Sequence, residues 1–212
     1  MKLQDIFDHL SHGELRNVFL TDPSRGELTE ENKKQLLTHV RMGLTALHTR
    51  FFIKEQVHSL VLEPGETRYV LDLPDLLRIE SVKDTEDNEY LLNILNEPES
   101  LHTPNYRTLV VPASLDATML LVTYRADHKP FGTEETYYPP NMVDIDLPPM
   151  YLEPLLYFVA SRVMNPIGMT EAFHDGNNYA AKYEQACQRL VNDGYPLDQG
   201  YHQDRFHSNG WV

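Results

Sequence analysis

Cysteine is almost missing from this chain. Cys187 is the only one in 212 residues, so no disulfide closes within it and nothing calls for an oxidising compartment. Long apolar runs are missing too: the longest, 155–160, falls far short of a membrane span. The opening MKLQDIFDHLSHGEL carries acids early and lacks the apolar centre of a signal peptide. These absences point to assembly in a cytoplasm, with no membrane partner. Basic charge is scarce. Against 32 Asp and Glu stand 18 Lys and Arg, leaving −14 and no basic cluster of the kind that grips a nucleic-acid backbone. An acidic surface repels phosphate, which suits a protein that touches DNA without holding it. Catalytic signatures are absent as well: no glycine-rich phosphate loop, nucleophile elbow or zinc-type cysteine pair.

What is present is ordinary globular composition, 41% hydrophobic and 24% charged, in a chain long enough for one elaborated domain or two small ones. Leu3, Ile6, Phe7 and Leu10 follow helical spacing, and Gly13 predicts the end of that helix. TDPSRGEL, residues 21–28, reads as a loop. Thr29 then predicts an N-cap, with Glu30 and Glu31 complementing the positive end of the helix dipole. From there Leu37, Val40, Leu44, Leu47 and Phe51 recur at three and four residues. They predict a seam for another helix over 30–52.

After Lys54 the period becomes that of strands. EQVHSLVL, then Glu63-Pro64-Gly65-Glu66, then TRYVL predicts a hairpin with a type II turn. LLRIESVKD, the turn TEDNE, YRTLVV and TMLLVTYRA extend this to a module of five or six strands. Residues 127–147 form a long irregular connection carrying Tyr137 and Tyr138, either a contact loop or an arm over its own sheet. The helical period returns at Leu152, Leu155, Leu156, Val159, Ala160, Val163 and Met164. Pro154 sets the start of that helix near Tyr151 or kinks it. A last helix, over 171–192, places Phe173, Ala180, Tyr183, Cys187 and Leu190 on one face, with Gly194 as its stop. The fold class is α+β: helices over 1–54, an antiparallel β module over 55–147, helices over 148–194, and an extended arm over 195–212.

That arm reads YPLDQGYHQDRFHSNGWV and has no core of its own. Phe206 and Trp211, the sole tryptophan, bury large apolar areas only if some surface receives them. It either folds back on its own domain or anchors in another polypeptide. Among titratable groups, His9 and His12 share a helical face near Asp5 and Asp8, and Arg162 sits at an otherwise apolar position. That arginine either snorkels or pairs with an acid across a subunit boundary. His174-Asp175, with His39 as a further ligand, supports an alternative of another class, a metal-dependent phosphohydrolase.

Several segments together resemble one family: LQDIFDHLSHGELRN, ELTEENKKQLLTHVRMGLTALHTRFFIKE, LVLEPGETRYVLD, LPDLLRIESVKD, IDLPPMYLEPLLYFVASRV, AAKYEQACQRL and the ending GWV. The chain resembles the head-to-tail adaptor (connector) proteins of tailed bacteriophages, most closely those of short-tailed phages. The resemblance implies a structural virion protein that is not an enzyme and needs no cofactor or metal. Its helices would form a bundle around the inserted β module. A homo-oligomeric ring, usually of twelve copies, would bind the portal protein in the neck after DNA packaging. That ring would extend the DNA channel and dock a tail tube or nozzle protein, and tail fibres too. Carried onto this chain, Arg205, Phe206, Trp211 and Val212 would bind the portal. Leu37, Val40, Leu44, Leu47 and Phe51 would be shared between core and ring contacts, and Tyr137, Tyr138 and Met142 would face the tail. Pro154 and the acidic, tyrosine-rich stretch 132–142 depart from the family pattern.

Overall fold

A computed structural model describes residues 1–16, 29–95, 97–131, 139–164 and 170–195, without the side chains of 30 and 170–175. This part of the chain divides into two compact units, residues 1–47 with 128–195 and residues 48–127. Four α-helices and two antiparallel sheets make it α+β.

The first unit is helical. Helix α1 (Leu3–His12) buries Leu3, Ile6, Phe7 and Leu10 on one face; each side chain of that size contributes about 1.5–3 kcal/mol when buried. The Lys2 N–H donates to the Asp5 carboxylate at 2.8 Å, placing an acid at the positive end of the helix. α1 ends at Gly13, whose N–H bonds His9 O at 2.9 Å; a Cβ there would lie 2.6 Å from that same oxygen, so the position suits glycine.

Helix α2 (Glu30–Arg50) is capped by Thr29, whose hydroxyl accepts the Asn32 N–H at 3.3 Å. Its buried row runs Leu36, Val40, Leu44, Leu47. Leu36 takes the place expected for Leu37, which is half-buried. Four residues turn a helix about 400° and three about 300°, so Leu36 lies nearer to Val40 in azimuth than Leu37 does.

A 3-10 turn (Pro149–Tyr151) leads into α3 (Leu152–Val163). Pro154 stands in its first turn, where a missing N–H breaks no helical bond, and the helix starts without a kink being needed. Helix α4 (Thr170–Asn192) lies against α3, with the Phe158 and Tyr183 rings edge to face at 5.4 Å. Ala186, Cys187 and Leu190 are buried, but Ala180 is exposed and the half-buried Tyr179 takes its expected place. The side chain of Phe173 lies outside the described residues. Gly194 stops α4 at φ +85°: its N–H bonds Val191 O at 3.0 Å and the Tyr195 N–H bonds Leu190 O at 3.0 Å. That is a Schellman pair, which needs the left-handed conformation glycine adopts freely. Residues 139–147 also belong here. The Leu3 N–H donates to Val143 O at 2.9 Å, the Ile145 N–H donates to Met1 O at 2.8 Å, and Val143, Ile145 and Leu147 are buried.

The second unit holds seven strands: β1 (Glu55–Val61), β2 (Arg68–Val70), β3 (Leu76–Lys83), β4 (Glu89–Tyr90), β5 (His102–Asn105), β6 (Thr108–Val110) and β7 (Met119–Ala126). One sheet has the order β1-β7-β3-β4 and the other β2-β6-β5. Side chains from both, among them Ile79, Val82, Leu120, Val122, Tyr69, Leu101 and Leu109, share one core. The expected hairpin of β1 with β2 does not form. Its turn does: Gly65 has φ +84° and the Glu66 N–H bonds Glu63 O at 3.1 Å. The strands on either side enter different sheets, β1 aligning its whole length with β7 while the three residues of β2 pair with β6. Tyr69 closes the corner, its hydroxyl accepting the Glu63 N–H at 3.0 Å and donating to Glu66 O at 3.1 Å. Strands β3 and β4 do form a hairpin. In its turn the Asp84 carboxylate accepts the N–H groups of Glu86 and Asn88 and the Asn88 amide, bonds that hold the carboxyl below its usual pKa, the Asn88 side chain first.

Candidate assembly interface

The residues singled out for contacts between chains fall into three groups. Arg205, Phe206, Trp211, Val212, Tyr137 and Tyr138 lie outside the described residues. Met142 ends a 3-10 turn (Pro140–Met142) and is 66% exposed. The helix seam is the third group. Val40, Leu44 and Leu47 are buried within the helical unit and Phe51 within the β unit, so these side chains are consumed by the chain's own core. What α2 leaves outside is the half-buried Leu37 and Met42, 47% exposed.

Close packing explains the choice of residue midway along α2. A Cβ at Gly43 would lie 2.6 Å from Leu155 Cδ1 and 3.0 Å from Phe158 Cδ1 on α3. Glycine costs a helix about 1 kcal/mol relative to alanine, so its presence here marks how near the two helices run. One turn earlier, burial holds the His39 imidazole below its usual pKa, and the Arg162 guanidinium adds to the effect. Arg162 itself is exposed, its guanidinium 5.1 Å from the centre of the Phe158 ring.

For metal chemistry the described residues offer little. None of them form a group of three or more His, Cys, Asp or Glu that could hold an ion. His9 and His12 are exposed, with His12 Nδ1 2.9 Å from Asp8 O. The side chains of His174 and Asp175 lie outside the described residues.

One residue that sequence reasoning missed is Arg125, on β7 and only 1% exposed. Its Nη2 lies 2.7 Å from Glu80 Oε1, its Nη1 donates to Thr49 O at 2.7 Å, and its guanidinium sits 5.4 Å from the Phe52 ring centre. Thr49 is in the last turn of α2, where carbonyls lack helical partners and the dipole favours a cation. Arg125 therefore fastens β7 and β3 to the end of α2 within the β unit. The only signal in the sequence was an arginine closing an apolar strand, a position that ordinarily reads as solvent.

Comparison with known proteins gives these surfaces a context. The chain matches the family described as SU10 adaptor protein over residues 11–205. A solved structure of the neck of an empty GTA particle, computed with C6 symmetry, is similar at 12% identity and a TM-score of 0.28, covering 84% of this chain and 88% of that chain. No curated protein matches. The class that emerges is the phage head-to-tail adaptor. Within that class the chain belongs to the SU10 adaptor protein family.

Proposed function

We propose that twelve copies of this chain form a ring beneath the portal after DNA packaging, extend the DNA channel and offer the tail tube or nozzle its docking surface. The observation that carries the reading is the family match, which spans residues 11–205. The arm over 201–212 lies against the portal in this reading, with Phe206 and Trp211 as its large apolar anchors and Arg205 and Val212 beside them. Anchors of that kind concentrate binding energy when a pocket fully desolvates them. Because Val40, Leu44, Leu47 and Phe51 serve the protomer core, contacts between copies along α2 fall to Leu37 and Met42. Met142, with Tyr137 and Tyr138, faces the tail component. Each copy brings a charge of −14, so a channel lined by part of it keeps the DNA backbone from adhering during ejection. The same charge makes copies repel one another, which favours ring formation on a portal template in the host cytoplasm.

Deleting residues 205–212 tests the arm. The shortened chain should melt at the same temperature as the full chain and lose binding to purified portal in co-sedimentation. Retained binding, or a melting point lowered by several degrees, would return the arm to the protomer.

A further inference from the structure

We infer that the free chain pairs with a second copy through β1, strand against strand, antiparallel about a twofold axis at His58. Hydrogen bonds at both ends of β1 fix which way its backbone faces. The Ala126 N–H donates to Lys54 O at 3.0 Å and the Leu62 N–H donates to Thr118 O at 2.9 Å. Even-numbered residues between those points face β7, while Glu55, Val57, Ser59 and Val61 direct their N–H and C=O groups away from it. Among the described residues no strand lies on that side. Edges that must stay unpaired are shortened, bulged, or given lysine or proline. β1 has none of these protections: seven residues, no register shift against β7, no lysine and no proline.

The strand is self-complementary in one register. Antiparallel pairing sets outward-facing residues opposite one another, so the twofold centre falls on a residue and not between two. Centred on His58, all seven residues of β1 pair: Val57 lies opposite Ser59 of the second copy, Glu55 opposite Val61, and each His58 opposite the other. Centred on Ser59, only 57–61 pair and Glu55 meets Glu63; like charges directly opposite destabilise a ladder. Centred on Val57, only 55–59 pair and Val61 falls opposite Ile53, ahead of the strand. The His58 register also gathers apolar surface. Val57 and Val61 are 59% and 65% exposed. Each Val57 is then flanked on its own face by Val57 and Val61 of the second copy, so four exposed valines make one patch.

Charge permits this contact although each copy is strongly acidic. Glu55 is the only Asp, Glu, Lys or Arg in β1. The pairing holds the two Glu55 side chains about 20 Å apart, at about 3.4 Å of strand per residue. That is well beyond the screening length of about 8 Å at physiological salt. Twofold contacts between identical surfaces are also the commonest kind in soluble oligomers. A contact complete with two copies does not continue round a ring, so it belongs to the chain before it reaches the portal. The inference goes beyond the ring reading and does not depend on it.

The test is sedimentation of the full-length chain at high concentration without portal. Wild type should sediment at twice the mass of one chain. Ser59→Pro and Val57→Lys should each sediment as single chains with an unchanged circular-dichroism spectrum. The Ser59 N–H faces away from β7 and the Val57 side chain is exposed, so neither change breaks the pairing within the chain. His58→Cys then reads the register. Directly opposite Cα atoms of a pair that is not hydrogen-bonded lie about 4.5 Å apart, within disulfide reach. Mild oxidation should therefore link two copies of His58→Cys and leave Ser59→Cys, whose side chains sit two residues out of line, largely unlinked. The native Cys187 is buried and does not compete. A wild-type chain that stays single, a dimer that persists in Ser59→Pro or Val57→Lys, or a His58→Cys variant that links no better than Ser59→Cys overturns the proposal. None of these results bears on the ring, which images of the chain with portal decide separately.

Discussion

Among the described residues, the helical unit buries one polar side chain, Ser161, whereas the β unit closes around Arg125, His48, Ser100 and Thr108. The helical unit is held by apolar ridges. Leu155, Leu156, Phe158 and Val159 on α3 fill the space beside α2 and α4, and what fixes the geometry is volume, as the close approach at Gly43 shows. The β unit adds directed bonds to its apolar core. Ser100 donates its hydroxyl proton and also accepts the Ile94 N–H at 3.0 Å, and Arg125 reaches both Glu80 and Thr49. Volume tolerates substitution by residues of similar size. A buried charge network tolerates almost none, because removing one partner leaves the other without compensation.

The largest expected effect lies in that contrast. Arg125→Met should destabilise the β unit by about 3–5 kcal/mol, since Glu80 and the Thr49 carbonyl lose a buried cation. Hydrogen exchange should quicken at the amides of β3 and β7 and leave those of α3 and α4 unchanged. Equal quickening in both units would show that they open together and would break the comparison. Arg125→Met combined with Glu80→Met should recover much of the loss, because two packed apolar groups replace the pair.

The matching change in the helical unit is smaller. Gly43→Ala should cost about 1–3 kcal/mol by overpacking against Leu155 and Phe158, despite alanine's better helix propensity. Thermal melting checks it. A rise in melting temperature would mean that α2 and α3 are free to move apart.

The smallest effect concerns pH. His39 has its folded pKa pushed below the ordinary value of 6.5, by burial first and by Arg162 second. The unfolded chain therefore binds a proton more readily than the folded one. Stability should fall as pH drops through the unfolded value towards the folded one, and be unaffected by His39 well above it. Comparing the pH dependence of melting in wild type and His39→Gln isolates this contribution; identical slopes below pH 6.5 would remove it.

Local signals carried far in this chain. The spacing of Leu3, Ile6, Phe7 and Leu10, the cap at Thr29, the stop at Gly194 and the tolerance of Pro154 all depend on neighbours within a few residues, and all four were legible. Legibility failed where distant partners decide. The turn at Glu63–Glu66 looks the same whether its strands pair with each other or enter two sheets, and the choice is made by β7 and β6. Leu36 and Leu37 are separated by azimuth alone, which a mixed three-and-four spacing leaves ambiguous. Arg125 gave no warning, since its acceptors come from β3 and the end of α2. Of the candidate interface, the family was legible from the order of many weak segments, while the division of the α2 seam needed the packed structure.

The most direct measurement is an image of assembled particles at a resolution that traces side chains in the neck. The account predicts a ring of this chain between portal and tail, with residues 205–212 seated on the portal. Finding the chain elsewhere in the particle, or missing from it, would contradict the adaptor role itself.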